Sequence, residues 1–172
     1  MRQPNDIDSD LDREFLLRSL QYDSETGIFT WLLPLSNRVA RGSQAGTIRH
    51  DGYVIIKFDS HFYLAHRLAW FYIYNKWPNS GLDHIDGNPN NNKLSNLRDA
   101  NPSQNHANMK MFKTNTSGHR GVWFHKKNKT WIAEVWYRRK KIGLGSYSSK
   151  KEAALVSANK RAELFGAYSR EY

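Results

Sequence analysis

Between Leu82 and Asn108 the chain reads LDHIDGNPNNNKLSNLRDANPSQNHAN. An aspartate and a histidine stand side by side, followed by asparagines and very few apolar residues. Asparagine forms helices and strands poorly, so this density costs stability. Three readings compete for the segment. It can be an Asx-rich loop whose side chains satisfy their own backbone. It can be a calcium loop beginning at Asp86, but that motif needs glycine where Asn91 stands and glutamate where Leu97 stands, so the reading fails. It can be a metal-dependent nuclease site. Phosphodiester hydrolysis needs a base for the attacking water, neutralisation of charge on the phosphorus oxygens and support for the leaving oxygen. One histidine, with an ordinary pKa of about 6.5, suits the first task at neutral pH. One Mg²⁺, which keeps several waters and needs only one or two protein oxygens, suits the others. Asp83, His84 and a downstream amide supply that set.

These residues must be positioned by their surroundings. Neighbours on a regular strand point to opposite faces, so Asp83 and His84 share a site only if their strand ends or bulges there. Gly81 before the pair and Gly87 after it permit this. Upstream, DLDREFLLRSLQ over residues 10–21 has Leu11, Phe15, Leu16 and Leu20 at helical spacing, with Asp10 as the candidate cap. YDSETGIFTWLL turns at Gly27 into a strand-like run, and NRVARGSQAG is loop. GTIRHDGYVIIKFDSHFYLAHRLAW predicts two or three short strands, with turns at Asp51-Gly52 and near Asp59-Ser60. From Leu64 to Tyr74 the spacing becomes helical, with Leu64, Leu68, Phe71 and Tyr72 on one side, and Pro78 and Gly81 are the expected stops.

With its neighbours in view, the segment resembles the HNH nuclease motif in the asparagine-rich form of phage and intron-encoded endonucleases. The resemblance rests on DHIDGNPNNNKLSNLR and SQNHAN and extends upstream through YDSETGIFTW, DGYVIIKF and AHRLAW, about residues 20–108. It implies a ββα-metal fold with His84 as general base and Asp83 as a metal ligand. Asn96 would brace the loop and fix the histidine's orientation. Asn105, on a helix after Pro102, would be the second ligand. Family members often carry histidine at that last position, and His106 stands next to Asn105 as the alternative. His66 in AHRLAW also matches the family. It reads either as a packed histidine at a helix start or as an active-site contact shared with Arg67. Arg98 reads as a phosphate contact or a plain surface arginine. Asn88, Asn90, Asn91 and Asn92 read as loop formers.

The totals narrow the class. The chain has 172 residues, 39% hydrophobic and 13% aromatic, enough for one large domain or two small ones. It has no cysteine, which excludes disulfides and thiolate zinc sites and fits a reducing cytoplasm. No apolar run approaches the ~20 residues of a membrane span, and the polar, acidic first residues do not form a signal peptide. The net charge is +10, and residues 111–172 hold 14 basic against 4 acidic side chains. A basic segment interleaved with aromatics is the electrostatic footprint expected for nucleic acid.

That basic third follows a polar stretch, MKMFKTNTSG over residues 109–118, which reads as a linker. HRGVWFHKK, TWIAEVWYRRKKIGLGSY and SKKEAALVSANKRAELFG then predict three strands and a closing helix. Asn128 falls in the first turn and Arg138–Lys141 at the second, while Ala153, Ala154, Val156, Ala158 and Leu164 make an apolar helix face. Alternation puts Trp131, Ala133, Val135 and Tyr137 on one side of the middle strand. Ile132, Glu134, Trp136 and Arg138 fall on the other, the candidate DNA face. Arg120 and Trp123, with His125 alongside, are assigned to the first strand, and Lys140 and Lys141 to the start of the third. Over residues 117–167 the segment is similar to the ethylene-response-factor (Apetala-type) DNA-binding domain. The shared residues are Arg120-Gly121-Val122, Trp131, Ala133-Glu134-Val135, Leu144-Gly145-Ser146-Tyr147 and Glu152-Ala153-Ala154. The likeness implies a sheet laid in the major groove. Trp123 and Trp136 stand where the plant domains carry arginines, so guanine readout by those arginines does not carry over.

The expectation is therefore an α+β chain: a nuclease domain over 1–108 with its core motif at about 64–108, a linker over 109–118, and a DNA-binding domain over 119–172. Its function is site-directed, homing-type cleavage of double-stranded DNA with Mg²⁺, Mn²⁺ being able to substitute. The expected enzyme uses no small-molecule cofactor and no membrane, works as a monomer or weak dimer, and acts in the cytoplasm, that of a host if phage-encoded. The alternative is a non-catalytic sequence-specific DNA-binding regulator. An RNA-binding module is a second rival, because stacking aromatics also suit single strands.

Overall fold

A computed structural model describes residues 11–170. It is mixed α and β, with four α-helices and several small antiparallel sheets among the described residues. The chain divides into two compact units, Met1–Asp99 and Ala100–Tyr172.

In the first unit, helix α1 (Arg13–Ser19) is capped by Asp12, whose side chain accepts from the Glu14 and Phe15 amides. The expected cap Asp10 lies outside the described residues. Leu20 leaves the expected helix and begins strand β1 (Leu20–Asp23), which pairs with β2 (Ile28–Trp31). Gly27 closes this hairpin at φ 76°. A side chain there would meet the backbone of Asn92 and Lys93 at 2.4–2.5 Å, so only glycine lets the hairpin lie against the asparagine-rich loop. Strands β3 (Thr47–Ile48), β4 (Val54–Phe58) and β5 (His61–Leu64) form a second sheet, with β4 in the middle. Asp59 and Ser60 both take positive φ, the geometry of a tight two-residue hairpin.

Helix α2 (Ala65–Tyr74) follows directly and buries Ala65, His66, Leu68, Ala69 and Phe71. It stops at Asn75 rather than at Pro78. Asn75 takes the left-handed conformation that asparagine tolerates, and its amide returns to the Phe71 carbonyl. The core joins Leu16, Leu20, Phe29, Ile56, Phe58 and Leu68 from the helices and both sheets. Against it lies a short pair, β6 (Leu82–His84) with β7 (Leu97–Asp99), and Leu97 belongs to the core.

In the second unit, helix α3 (Pro102–Asn108) starts with a reciprocal capping box between Asn101 and Gln104, with Pro102 in the first turn. Strands β8 (Val122–His125), β9 (Thr130–Tyr137) and β10 (Lys140–Tyr147) form a sheet with β9 central. Helix α4 (Lys150–Phe165) packs on one face of it. Its buried line is Ala153, Ser157 and Phe165, not the all-apolar face expected. Ser157 is tolerated inside because its hydroxyl donates to the Arg120 carbonyl at 2.7 Å. Ala107 of α3 is buried in a cluster with Val135 and Phe165. No helix among the described residues is long and apolar enough to cross a membrane.

Candidate active site

All three residues of β6 are buried, including Asp83 and His84. Their pairing with β7 runs without a register shift, Asp83 opposite Arg98 and His84 opposite Leu97, and the strand ends at His84. Of the two conditions that let the neighbours share a site, strand end and bulge, the chain meets the first. The Gly87 amide turns back to the His84 carbonyl at 2.8 Å.

Each of the two side chains has its own support. Arg98 donates from Nε at 2.8 Å and from Nη2 at 2.7 Å, both to Asp83 Oδ2. Arg98 is thus part-buried rather than a plain surface arginine: its cross-strand position delivers the guanidinium onto the buried carboxylate. His84 Nε2 lies 3.1 Å from Asn92 Oδ1. An amide oxygen only accepts, so Nε2 carries the proton and the lone pair of the neutral ring falls on Nδ1. The Asn92 amide nitrogen donates to the Asn90 carbonyl at 3.4 Å, consistent with that orientation. Burial lowers the His84 pKa from its ordinary value, against upward pulls from Asn92, Asp86 and Asp83. The resting histidine is neutral, the form that accepts a proton.

Asn92, read from sequence as a loop former, is therefore a hydrogen-bond partner of His84. It is buried, and its carbonyl accepts from Tyr22 Oη at 2.7 Å. Burial, then Asp23, raises the Tyr22 pKa, so the phenol stays a donor. The signal was available only in part, because Asn88, Asn90, Asn91 and Asn92 look alike in sequence.

Asn96 stitches the loop from its far end. Its Oδ1 accepts from the Asp86 amide at 3.0 Å, and its Nδ2 donates to Asp86 Oδ1 at 3.0 Å and to the Asn91 carbonyl at 2.8 Å. Burial raises the Asp86 pKa, but hydrogen bonds from Asn91, the Asn88 amide and Asn96 outweigh it and hold the carboxyl below its usual range.

His66 lies at the start of α2, buried, with its ring centroid 4.9 Å from that of His84. Burial, then His84 and Arg67, pushes its pKa down to about 3. The Arg67 guanidinium lies 5.5 Å from the Trp77 ring centre. Two buried neutral histidines make stability pH-dependent. Their folded pKa values lie below the unfolded value, so their contribution is complete above pH 6.5 and is lost as pH falls toward the folded values, near 3 for His66. Urea unfolding should show the loss between pH 7 and 4.5, at up to about 1.4 kcal/mol per pH unit for each histidine. A His66→Gln chain should lose part of that slope. An unchanged slope would contradict the assignment.

The second unit carries the other candidates. Asn105 and His106 both lie on α3. Arg120 does not lie on the first strand but precedes it. Gly121 turns the chain there at φ 66°, and its missing Cβ would sit 2.0 Å from the Glu134 carbonyl oxygen. The Arg120 guanidinium donates to the Met109 carbonyl. Trp123 and His125 share a face of β8, with ring centroids 5.7 Å apart. Trp123 Nε1 donates to Glu134 at 3.3 Å, and Lys141 lies 3.5 Å from the same carboxylate. Trp136, opposite Lys141, is exposed on that face, away from α4. Lys140 pairs with Tyr137 and so falls on the other side. Arg138 and Arg139 form the β9–β10 turn, and Arg138 lies 5.2 Å from the Tyr137 ring centre.

Residues 63–107 match the HNH endonuclease family model. The match runs from β5 through α2, β6 and β7 into α3 and includes Asp83, His84, Asn96 and Asn105. An HNH endonuclease domain is a DNA-cleaving hydrolase, and DNA is its substrate. No curated protein and no solved structure matches the chain.

HNH nucleases generally depend on a divalent metal. Among the described residues no group of three or more His, Asp or Glu side chains is placed to hold a metal ion. The donor chemistry in the HNH segment nevertheless fits a hard cation. Asp83 offers a buried carboxylate oriented by Arg98, and such an ion needs only one or two carboxylates beside amide oxygens and water.

Proposed function

We propose that the chain is a homing-type HNH endonuclease, of the phage or intron kind, that hydrolyses phosphodiester bonds in duplex DNA. The observation that carries this reading is the buried Asp83–His84 pair at the end of β6, held by Arg98 and Asn92 inside the HNH-matched segment. His84 Nδ1 takes the proton from the attacking water. The water oxygen bonds to phosphorus as the bond to the 3′-oxygen breaks, and the departing alkoxide takes a proton from solvent water, leaving 3′-hydroxyl and 5′-phosphate ends. Asp83 and Asn105 would hold Mg²⁺, for which Mn²⁺ can substitute, and the chemistry such an ion supplies is charge neutralisation on the phosphate and support of the leaving oxygen. Asn96 keeps the loop closed around Asp86, and Asn92 keeps the imidazole in the reactive tautomer.

Residues 1–108 act as the nuclease module, 109–118 connect, and 119–172 bind DNA in the manner of the ethylene-response-factor domain. In that role the open sheet face offers Trp123, His125, Glu134, Trp136 and Lys141, with Arg138 and Lys140 at the turn end. Phosphate contacts from the cations position the protein, and contacts to base edges set the site. One catalytic motif per chain makes one nick per monomer, in the cytoplasm of the cell that holds the DNA.

The test is nicking of supercoiled plasmid by the full chain in Mg²⁺, in Mn²⁺ and in EDTA. Nicking with either metal and none in EDTA is expected. No nicking of any DNA under these conditions would favour a non-catalytic regulator. Cleavage products should carry ligatable 5′-phosphates. Duplex DNA should outcompete RNA at a fixed salt concentration.

A further inference from the structure

The second unit contains a pocket of about 330 Å³ on the α4 side of its sheet, lined by His119, Arg120, Lys151, Arg161 and Ser169 among others. Every charged side chain in that set is basic. Arg170 adjoins it, and its carbonyl accepts from Arg161 at 3.4 Å. The partners of these arginines are carbonyl oxygens. Arg120 donates to Met109, and Arg161 donates to Ala107 at 3.0 Å.

Among the described residues no carboxylate pairs with them. Glu134 is engaged by Lys141, and Glu163 by Lys160. Two guanidinium nitrogens, Arg120 Nε and Arg170 Nη1, are buried without any partner among the described residues. Burial lowers both the Arg120 and Arg161 pKa values. Arg170 adds to the effect on Arg120, and Arg120 adds to that on Arg161, which falls to about 10. Like charges drawn together and partly desolvated, with donors unmet, make a site that favours negative charge and acceptor oxygens.

The local fold holds the cluster in place. The buried Ser157 hydroxyl of α4 pins the Arg120 carbonyl, and the β9 backbone closes on Gly121 so tightly that no other residue fits. Lys151 and Arg161 project from α4 itself. The pocket thus lies on the helix side, opposite the face that carries Trp123, Glu134 and Trp136.

We infer that this pocket binds a phosphate group, held by Arg120, Arg161 and Lys151. Guanidinium forks match phosphate oxygens, and the lysine adds a point charge. The inference does not depend on the nuclease chemistry. The phosphate can come from a DNA backbone that reaches the helix side or from a free phosphate or phosphate ester. One titration series separates the two.

Inorganic phosphate is titrated calorimetrically into the full chain, with chloride adjusted to hold ionic strength constant. Saturable one-site binding is expected, weakened about tenfold or more in Arg161→Gln, as loss of a charge-assisted hydrogen bond predicts. Lys151→Gln alters an exposed side chain, so it keeps the test open if Arg161→Gln fails to fold, and it should weaken binding several-fold. The same Lys151→Gln chain is then titrated with a duplex oligonucleotide at several salt concentrations. A log–log salt slope smaller by about one identifies a backbone phosphate as the source. An unchanged slope beside weakened inorganic phosphate binding identifies a free phosphate or ester. The inference is overturned if the wild type shows no saturable phosphate binding, or if it binds no more tightly than Lys151→Gln.

Discussion

His84→Ala is expected to lower the rate of plasmid nicking by about 10²–10⁴-fold, the usual contribution of a positioned general base. Affinity for DNA should be nearly unchanged, because no charge is removed. The burial that makes His84 a neutral acceptor also predicts that activity falls in acid, where the ring is protonated. Its dependence on Asn92 predicts a second, smaller effect. Asn92→Ala leaves the imidazole in place but removes the acceptor that holds its proton on Nε2. A variant without His84 that nicks at the wild-type rate would remove the residue from its role.

Arg98→Ala is expected to cost about 3–5 kcal/mol of stability, the range for breaking a buried ion pair from one side. Two donors, at 2.8 and 2.7 Å, would be lost from one oxygen of a buried carboxylate. Arg98→Lys should recover only part of the loss, since an ammonium group cannot reproduce the two-nitrogen approach to one oxygen. Chemical unfolding of the three chains at neutral pH measures the series. Equal midpoints for wild type and Arg98→Ala would show that the pair contributes nothing.

Much of the fold was legible because it rests on local rules. The Asp51-Gly52 and Asp59-Ser60 turns, the α2 helix and the three strands before a final helix follow from periodicity and turn chemistry. Boundaries were less legible. Leu20 continues the helical spacing of α1, yet it serves β1, because pairing with Trp31 and burial in the core outweigh local preference. Asn75 ended α2 before the obvious proline, since an asparagine in the left-handed region is rarely distinguishable in sequence from any other.

In the candidate site, the adjacent Asp83 and His84 stood out in the sequence, because carboxylate beside imidazole is chemically pointed. Their partners did not. Arg98 reaches Asp83 only through the β6–β7 register, and Asn92 reaches His84 only because the loop folds back under Tyr22 and Gly27. Arg120 was misplaced for a similar reason: Gly121 reverses the chain before β8 begins, and the side chain goes to the helix side.

The proposed centre is a divalent cation held by Asp83 beside a neutral His84. Anomalous scattering from crystals of the full chain soaked in Mn²⁺ tests it most directly. One strong peak within coordination distance of an Asp83 carboxylate oxygen is expected. A manganese ion bound with full occupancy elsewhere, and none at Asp83, would contradict it.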